Sequence, residues 1–150
     1  SQLQAESRGW VRLRSADPSA PPAIRYNYLS TENERRSLVD GLKFIRRLVN
    51  TPPLSGYVVE EVQPGPRVQN DADWLAFGRE AGDTVFHPTS TCRMGEDPRA
   101  VVDARLRVRG LEALRVVDAS ILPAVVSGNT NAAVFAIAEK GAELVRADAR

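Results

Sequence analysis

Near the end of the sequence, Ala132-Ala-Val-Phe-Ala-Ile-Ala138 points apolar side chains in every direction around a helix, with no charged position before Glu139. A helix start that is apolar on every side is expected to be buried on every side, so residues 131–146 read as a helix packed into an interior. Directly before it stands Ser127-Gly-Asn-Thr-Asn131. Ordinary capping explains such a cluster. A binding site explains it equally, because the free amides of a buried helix start carry partial positive charge and must meet an acceptor. A phosphate or a polarised carbonyl is such an acceptor. The sequence alone leaves both readings open.

The remaining segments mix strands and helices with no βαβ rhythm, which makes the fold class α+β. Thr31-Glu-Asn-Glu34 is a capping box. Leu38, Leu42, Ile45 and Val49 follow at helical spacing on one face, and Pro52-Pro53 ends the helix. Asn70 or Asp71 caps a shorter helix reaching about residue 80, with Trp74 and Phe77 one turn apart. Residues 7–14 alternate Val11 and Leu13 with Arg12 and Arg14, the pattern of a half-exposed strand. Residues 15–23 hold Pro18, Pro21 and Pro22 and read as an extended connection. Further strands are expected at 57–59, ahead of the Pro64-Gly-Pro66 turn, and at 84–87, 106–108 and 114–117.

Composition excludes several classes of function. The chain has 150 residues, 43% hydrophobic and 26% charged, which suits an ordinary globular domain with a core of its own. Twenty basic residues against nineteen acidic ones are interspersed for a net charge of +1, so no basic stripe suits nucleic acid or an anionic membrane surface. No apolar run approaches the ~20 residues of a membrane span. Cys92 is the single cysteine. It offers neither an internal disulfide nor a cysteine metal cluster, so no metal site is expected, and a reducing, cytoplasmic setting is.

Candidate chemistry concentrates in residues 83–146. His87 is the only histidine, the residue type best suited to exchanging protons near neutral pH. It sits at the end of an expected strand and before Pro88. Taken alone, it is also compatible with a satisfied structural histidine. Leu114-Arg-Val-Val-Asp-Ala-Ser120 reads as a strand whose end presents the Asp118 carboxylate. That is a common place for ligands, and also a common place for a plain turn.

Taken together, Phe86-His-Pro-Thr-Ser-Thr-Cys-Arg-Met-Gly95, Val101-Val-Asp103, Leu106-Arg-Val-Arg-Gly110, Leu114-Arg-Val-Val-Asp-Ala-Ser120 and Ser127-Gly-Asn-Thr-Asn-Ala132 resemble, in order and spacing, the C-terminal signature of the glucose–methanol–choline (GMC) oxidoreductases. The likeness extends weakly back to Ser7-Arg-Gly-Trp-Val11 and Asn27-Tyr-Leu29. It implies that His87 is the catalytic base of an FAD-dependent alcohol oxidoreductase. Asn129 takes the second catalytic position, giving the His–Asn pair of choline-oxidising members, and also borders the cofactor. By the same resemblance, Asp118 and Ala119 approach the ribityl and pyrophosphate portion of FAD. Thr130, Asn131 and Ala132 approach the pyrimidine side of its ring. Arg109 stands where the family often has histidine.

The family opens on Gly-x-Gly-x-x-Gly after its first strand, a spacing these glycines do not show. The resemblance therefore implies a C-terminal portion: residues 1–80 as part of a substrate-binding domain, an antiparallel sheet backed by helices, and residues 81–150 as an active-site strand, a further strand and a buried helix completing the FAD domain. The implied partners are the N-terminal FAD-binding half and a small alcohol. The isolated chain is then expected to be inactive and to self-associate through apolar surface. A flavin-free interaction module or subunit keeping the same fold is the alternative.

Overall fold

The computed structural model describes residues 5–149 and is α+β, with two short strands and three α-helices. The chain divides into two compact units. One combines the residues up to Gly9 with Tyr26–Val85, the other Trp10–Arg25 with the chain from Phe86 onward.

In the first unit, helix α1 (Glu32–Val49) starts at the expected capping box, with Thr31 Oγ1 accepting the Glu34 amide at 3.3 Å. Glu34 does more than cap. Its side chain is buried, and Oε1 accepts the amides of Glu6 and Ser7 at 2.8 and 2.7 Å while Oε2 accepts the Ser7 hydroxyl. Helix α2 (Asp71–Ala81) is capped by Asn70, whose Oδ1 accepts the Asp73 amide at 3.0 Å. The helices meet closely at Gly78, where a β-carbon would lie 2.7 Å from Leu38 Cδ2.

Val39 of α1 and Trp74 of α2 are buried, whereas Ile45 is exposed. The Arg46 guanidinium takes the place beside Trp74, 4.1 Å from the ring centroid, and donates to Glu61 Oε1, Gly65 O and Val68 O. These bonds tie residues 61–68 down as a loop. The strand expected at 57–59 is absent: Leu54–Tyr57 forms a turn of 3-10 helix and Val59 is almost fully exposed.

In the second unit, strand β1 (Trp10–Arg12) pairs antiparallel with β2 (Ala23–Arg25) in the register Trp10↔Arg25, Val11↔Ile24, Arg12↔Ala23. The prolines between them form the connection. From residue 93 onward short extended pieces lie side by side, joined by single bridges at Met94↔Val102, Val102↔Val108 and Arg107↔Arg115. Asp103 shapes the intervening turn by accepting the amides of Arg105 and Arg107 at 2.8 and 3.0 Å. Val102, Leu106 and Ile121 form the core, with Val117, Ile137 and Leu144 packed against it.

The strands expected at 84–87, 106–108 and 114–117 do not form as such. Phe86 (φ 57°), Leu106 (φ 64°) and Ala113 (φ 57°) adopt left-handed backbone, which breaks the pleat and limits pairing to isolated residues.

Helix α3 (Asn131–Asp148) runs as expected, but burial on every side is not what this chain provides. It buries one stripe. Gly141 is buried and meets Val117, while Ala132, Ala136 and Ala138 are exposed and Phe135 is 67% exposed. Only one side of the helix has apolar neighbours among the described residues. Its far end is held by Asp148, which pairs with Arg105 and Arg115. No helix among the described residues is long and apolar enough to cross a membrane.

Candidate active site

The second unit carries every residue singled out for chemistry. His87 lies between the left-handed Phe86 and Pro88, and a second left-handed residue, Ser90 (φ 70°), follows. Non-glycine residues held there cost about 1–2 kcal/mol each and persist only where the surroundings impose them. The anchoring lies just downstream. The amides of Ser90, Cys92 and Met94 donate to the carbonyls of Ala119, Ser120 and Ile121 at 3.4, 3.0 and 2.8 Å. His87 is thus delivered by an irregular, tethered segment instead of the strand end expected from the sequence.

Asp118 is likewise no strand end. Its Oδ1 accepts the Ser120 amide at 2.7 Å and caps the short 3-10 helix Ala119–Ile121. The turn reading accounts for that oxygen, and the residue as a whole remains exposed. Ala119 is half-buried in the same turn.

At the start of α3, Asn129, Asn131 and Ala132 are exposed and Thr130 is buried. Thr130 stands in the N-cap position but does not cap. Its backbone is already helical (φ −74°, ψ −14°), whereas a capping side chain needs extended backbone to reach the next amides. The Thr130 side chain thus makes no capping bond, and the helix start carries the partial positive charge of its first amides. The Thr130 hydroxyl turns to His87 instead, with Oγ1 3.1 Å from Nδ1. The two sequence clusters, 43 residues apart, meet at this bond. Among the described residues no hydrogen bond joins His87 to Asn129 or Asp118.

Residues 5–138 match the family model described as GMC oxidoreductase. The chain belongs to the GMC oxidoreductase family. Among its relatives, an oxygen-dependent choline dehydrogenase of Serratia proteamaculans is 46% identical over 144 residues, 96% of this chain and 26% of that protein. One from Acinetobacter baumannii is 44% identical over the same shares. Among solved structures, pyridoxine 4-oxidase from Mesorbium loti is 38% identical with a TM-score of 0.84, covering 94% of this chain and 28% of the other. An FAD-dependent oxidoreductase from Chaetomium thermophilum is 28% identical with a TM-score of 0.89, covering 99% and 26%. The chain therefore spans about a quarter of the length of the curated relatives it matches.

Within this GMC segment, sequence reasoning selected both His87 and Thr130 but assigned them to different tasks. It missed the bond between them. The available signal was indirect: a hydroxyl residue beside a helix start that already had other candidate caps.

Proposed function

We propose that this chain is the C-terminal part of an FAD-dependent oxidoreductase that oxidises a small primary alcohol to an aldehyde. The observation that carries the proposal is the half-buried His87, held through Nδ1 by Thr130 at the start of α3. A base needs one nitrogen fixed and the other available, and the Thr130 contact engages Nδ1 and not Nε2, which supports this reading.

The surrounding groups suit a flavin dinucleotide in their chemistry. The first turn of α3 and the amide side chains of Asn129 and Asn131 are donors for carbonyl or anionic edges. The exposed Asp118 carboxylate is an acceptor for ribityl hydroxyls, and Ala119 and Ala132 are small enough to admit close approach. We assign Asp118, Ala119, Asn129, Asn131 and Ala132 to the cofactor's surroundings; Thr130, expected from the sequence on the same side, bonds His87 instead.

Bound FAD supplies the hydride acceptor. His87 takes the alcohol's hydroxyl proton, and Asn129 holds the alcohol oxygen by hydrogen bonding. A positioned base is worth roughly 10²–10⁴-fold, and a donor beside the developing alkoxide adds a contribution of similar order. The choline dehydrogenase relatives support a choline-like alcohol as one candidate substrate.

On this reading residues 1–80 belong to the substrate-binding domain and 81–150 complete the FAD domain. An N-terminal half of the same enzyme covers the open face of α3 around Phe135. A flavin-free module is not favoured, because the family match spans 5–138 with every one of these residues inside it.

Anaerobic stopped-flow reduction of the full-length enzyme across a pH series tests the pair. His87→Ala should keep its flavin but reduce it at least 100-fold more slowly near neutrality, with the deficit shrinking at high pH where solvent hydroxide takes the alcohol's proton in place of the missing base. Asn129→Ala should be slow without that recovery. Wild-type reduction by His87→Ala would defeat the proposal.

A further inference from the structure

We infer that Thr130 is a positioning residue for His87: its hydroxyl accepts a hydrogen bond from Nδ1–H and so holds the neutral imidazole in the one tautomer whose Nε2 can take a proton. The inference rests on the proposed role of His87 as base.

Either atom of the 3.1 Å contact can be the donor on geometry alone. The proposed chemistry decides between them. Nδ1 is occupied by Thr130, so the nitrogen left for an alcohol is Nε2. A neutral imidazole carries one N–H and one lone pair. If Thr130 donated to Nδ1, the ring proton would sit on Nε2 and no base would remain. If Nδ1–H donates to Thr130, Nε2 carries the lone pair. The contact works for a base only in the second sense.

Two features suit Thr130 to this task. It is 8% exposed, so water cannot readily replace the bond if the hydroxyl is removed. Its helical backbone also frees the hydroxyl from capping. Both partners are held firmly as well. α3 is fixed at Gly141 against Val117 and at Asp148 by Arg105 and Arg115. The His87 segment is tethered by the amides of Ser90, Cys92 and Met94. The bond therefore joins two anchored elements, which lets a single hydroxyl set both ring orientation and tautomer. The cofactor-side role suggested by the sequence then falls to Asn131 and Ala132, with Thr130 facing the histidine.

The test uses the full-length enzyme with Thr130→Val, Thr130→Ser and His87→Gln. Three measurements apply: anaerobic flavin reduction over an alcohol series, flavin content, and 15N spectra of histidine-labelled protein in which the His87 signals are those lost in His87→Gln. Wild type should show His87 neutral with its proton on Nδ1. Thr130→Val should keep its flavin and bind alcohol within about twofold of wild type. It should reduce flavin about fivefold more slowly at saturation, roughly what one neutral hydrogen bond is worth, and show mixed tautomers. Thr130→Ser should restore both rate and tautomer.

A Thr130→Val enzyme with wild-type rate and tautomer overturns the inference, and one that loses flavin in step with its rate makes Thr130 a cofactor contact instead. If His87→Gln is slow while Thr130→Val is unchanged, only the positioning role fails. If His87→Gln reduces flavin normally, the base itself is wrong. Should Thr130→Val not fold, the wild-type spectrum still decides, since a proton on Nε2 is incompatible with the inference.

Discussion

Replacing Gly141 by alanine sets two effects of opposite sign against each other in the middle of α3. In a free helix the change is favourable by about 0.8–1 kcal/mol, because glycine loses more backbone entropy and buries no side chain. Here the new β-carbon would lie 2.3 Å from Val117 Cγ1 and 3.4 Å from Val117 Cβ. Ordinary carbon–carbon contact is about 3.5–4.0 Å, so α3 and the 114–117 segment would have to separate by more than about 1 Å. Val117 cannot give way by rotation alone, since it is β-branched and stiff at χ1 and packs on the core of Val102, Leu106 and Ile121.

Overpacking of this kind costs about 1–3 kcal/mol. The severity of the clash places it toward the upper end, leaving Gly141→Ala destabilising by about 1–2 kcal/mol net. Val117→Ala removes the offending methyl and leaves the two β-carbons 3.4 Å apart. In that background the helix-propensity gain should emerge and Gly141→Ala should become stabilising. A double-mutant cycle on the full-length enzyme, followed by thermal unfolding with flavin bound, reads the coupling directly. The sign reversal is the decisive outcome. If Gly141→Ala is stabilising with Val117 intact, or has the same sign in both backgrounds, the proposed close contact does not hold α3.

Two further perturbations test the anchoring and the cofactor side. Burial opposes ionisation of Glu34, but the hydroxyl and amide of Ser7 and the amides of Glu6 and Thr31 outweigh it and hold the carboxyl below its usual range. A depressed folded-state pKa gives stability that is present above the unfolded value and lost as pH falls through the folded one. Glu34→Gln should therefore cost about 1.5–3 kcal/mol near neutrality and flatten the acid limb of the stability profile, and an unchanged acid limb would count against this account. Asp118→Ala should weaken FAD retention on dialysis by the worth of one charge-assisted bond, about 1.5–3 kcal/mol. Asp118→Asn serves as the control that keeps an oxygen for the Ser120 amide. Full retention with loss of turnover only would show that Asp118 is not a cofactor contact.

The helices were legible because their signals are local. The capping box at Thr31–Glu34 and the Asn70 cap each act within one turn, and both appear in the structure as hydrogen bonds to the expected amides. The strands at 84–87 and 106–108 were not, since apolar and β-branched composition reports what side chains favour and says nothing of φ. Phe86 and Leu106 take left-handed backbone that neither residue type would choose unaided. The same limit applies to burial. The apolar start of α3 announces that every side needs cover, but sequence cannot say how much of that cover a given stretch of chain supplies.

For the site, the motifs selected the residues and left their pairing open. Thr130 reads equally as a cap or a cofactor contact, and only its helical ψ, invisible in sequence, removes the first. What remains is a buried hydroxyl and the ring nitrogen it faces across 43 residues of chain. On the proposed chemistry, an alcohol proton then goes to Nε2 of His87. The tautomer is the most direct physical property on which the proposed chemistry depends, and it can be measured without turning the enzyme over.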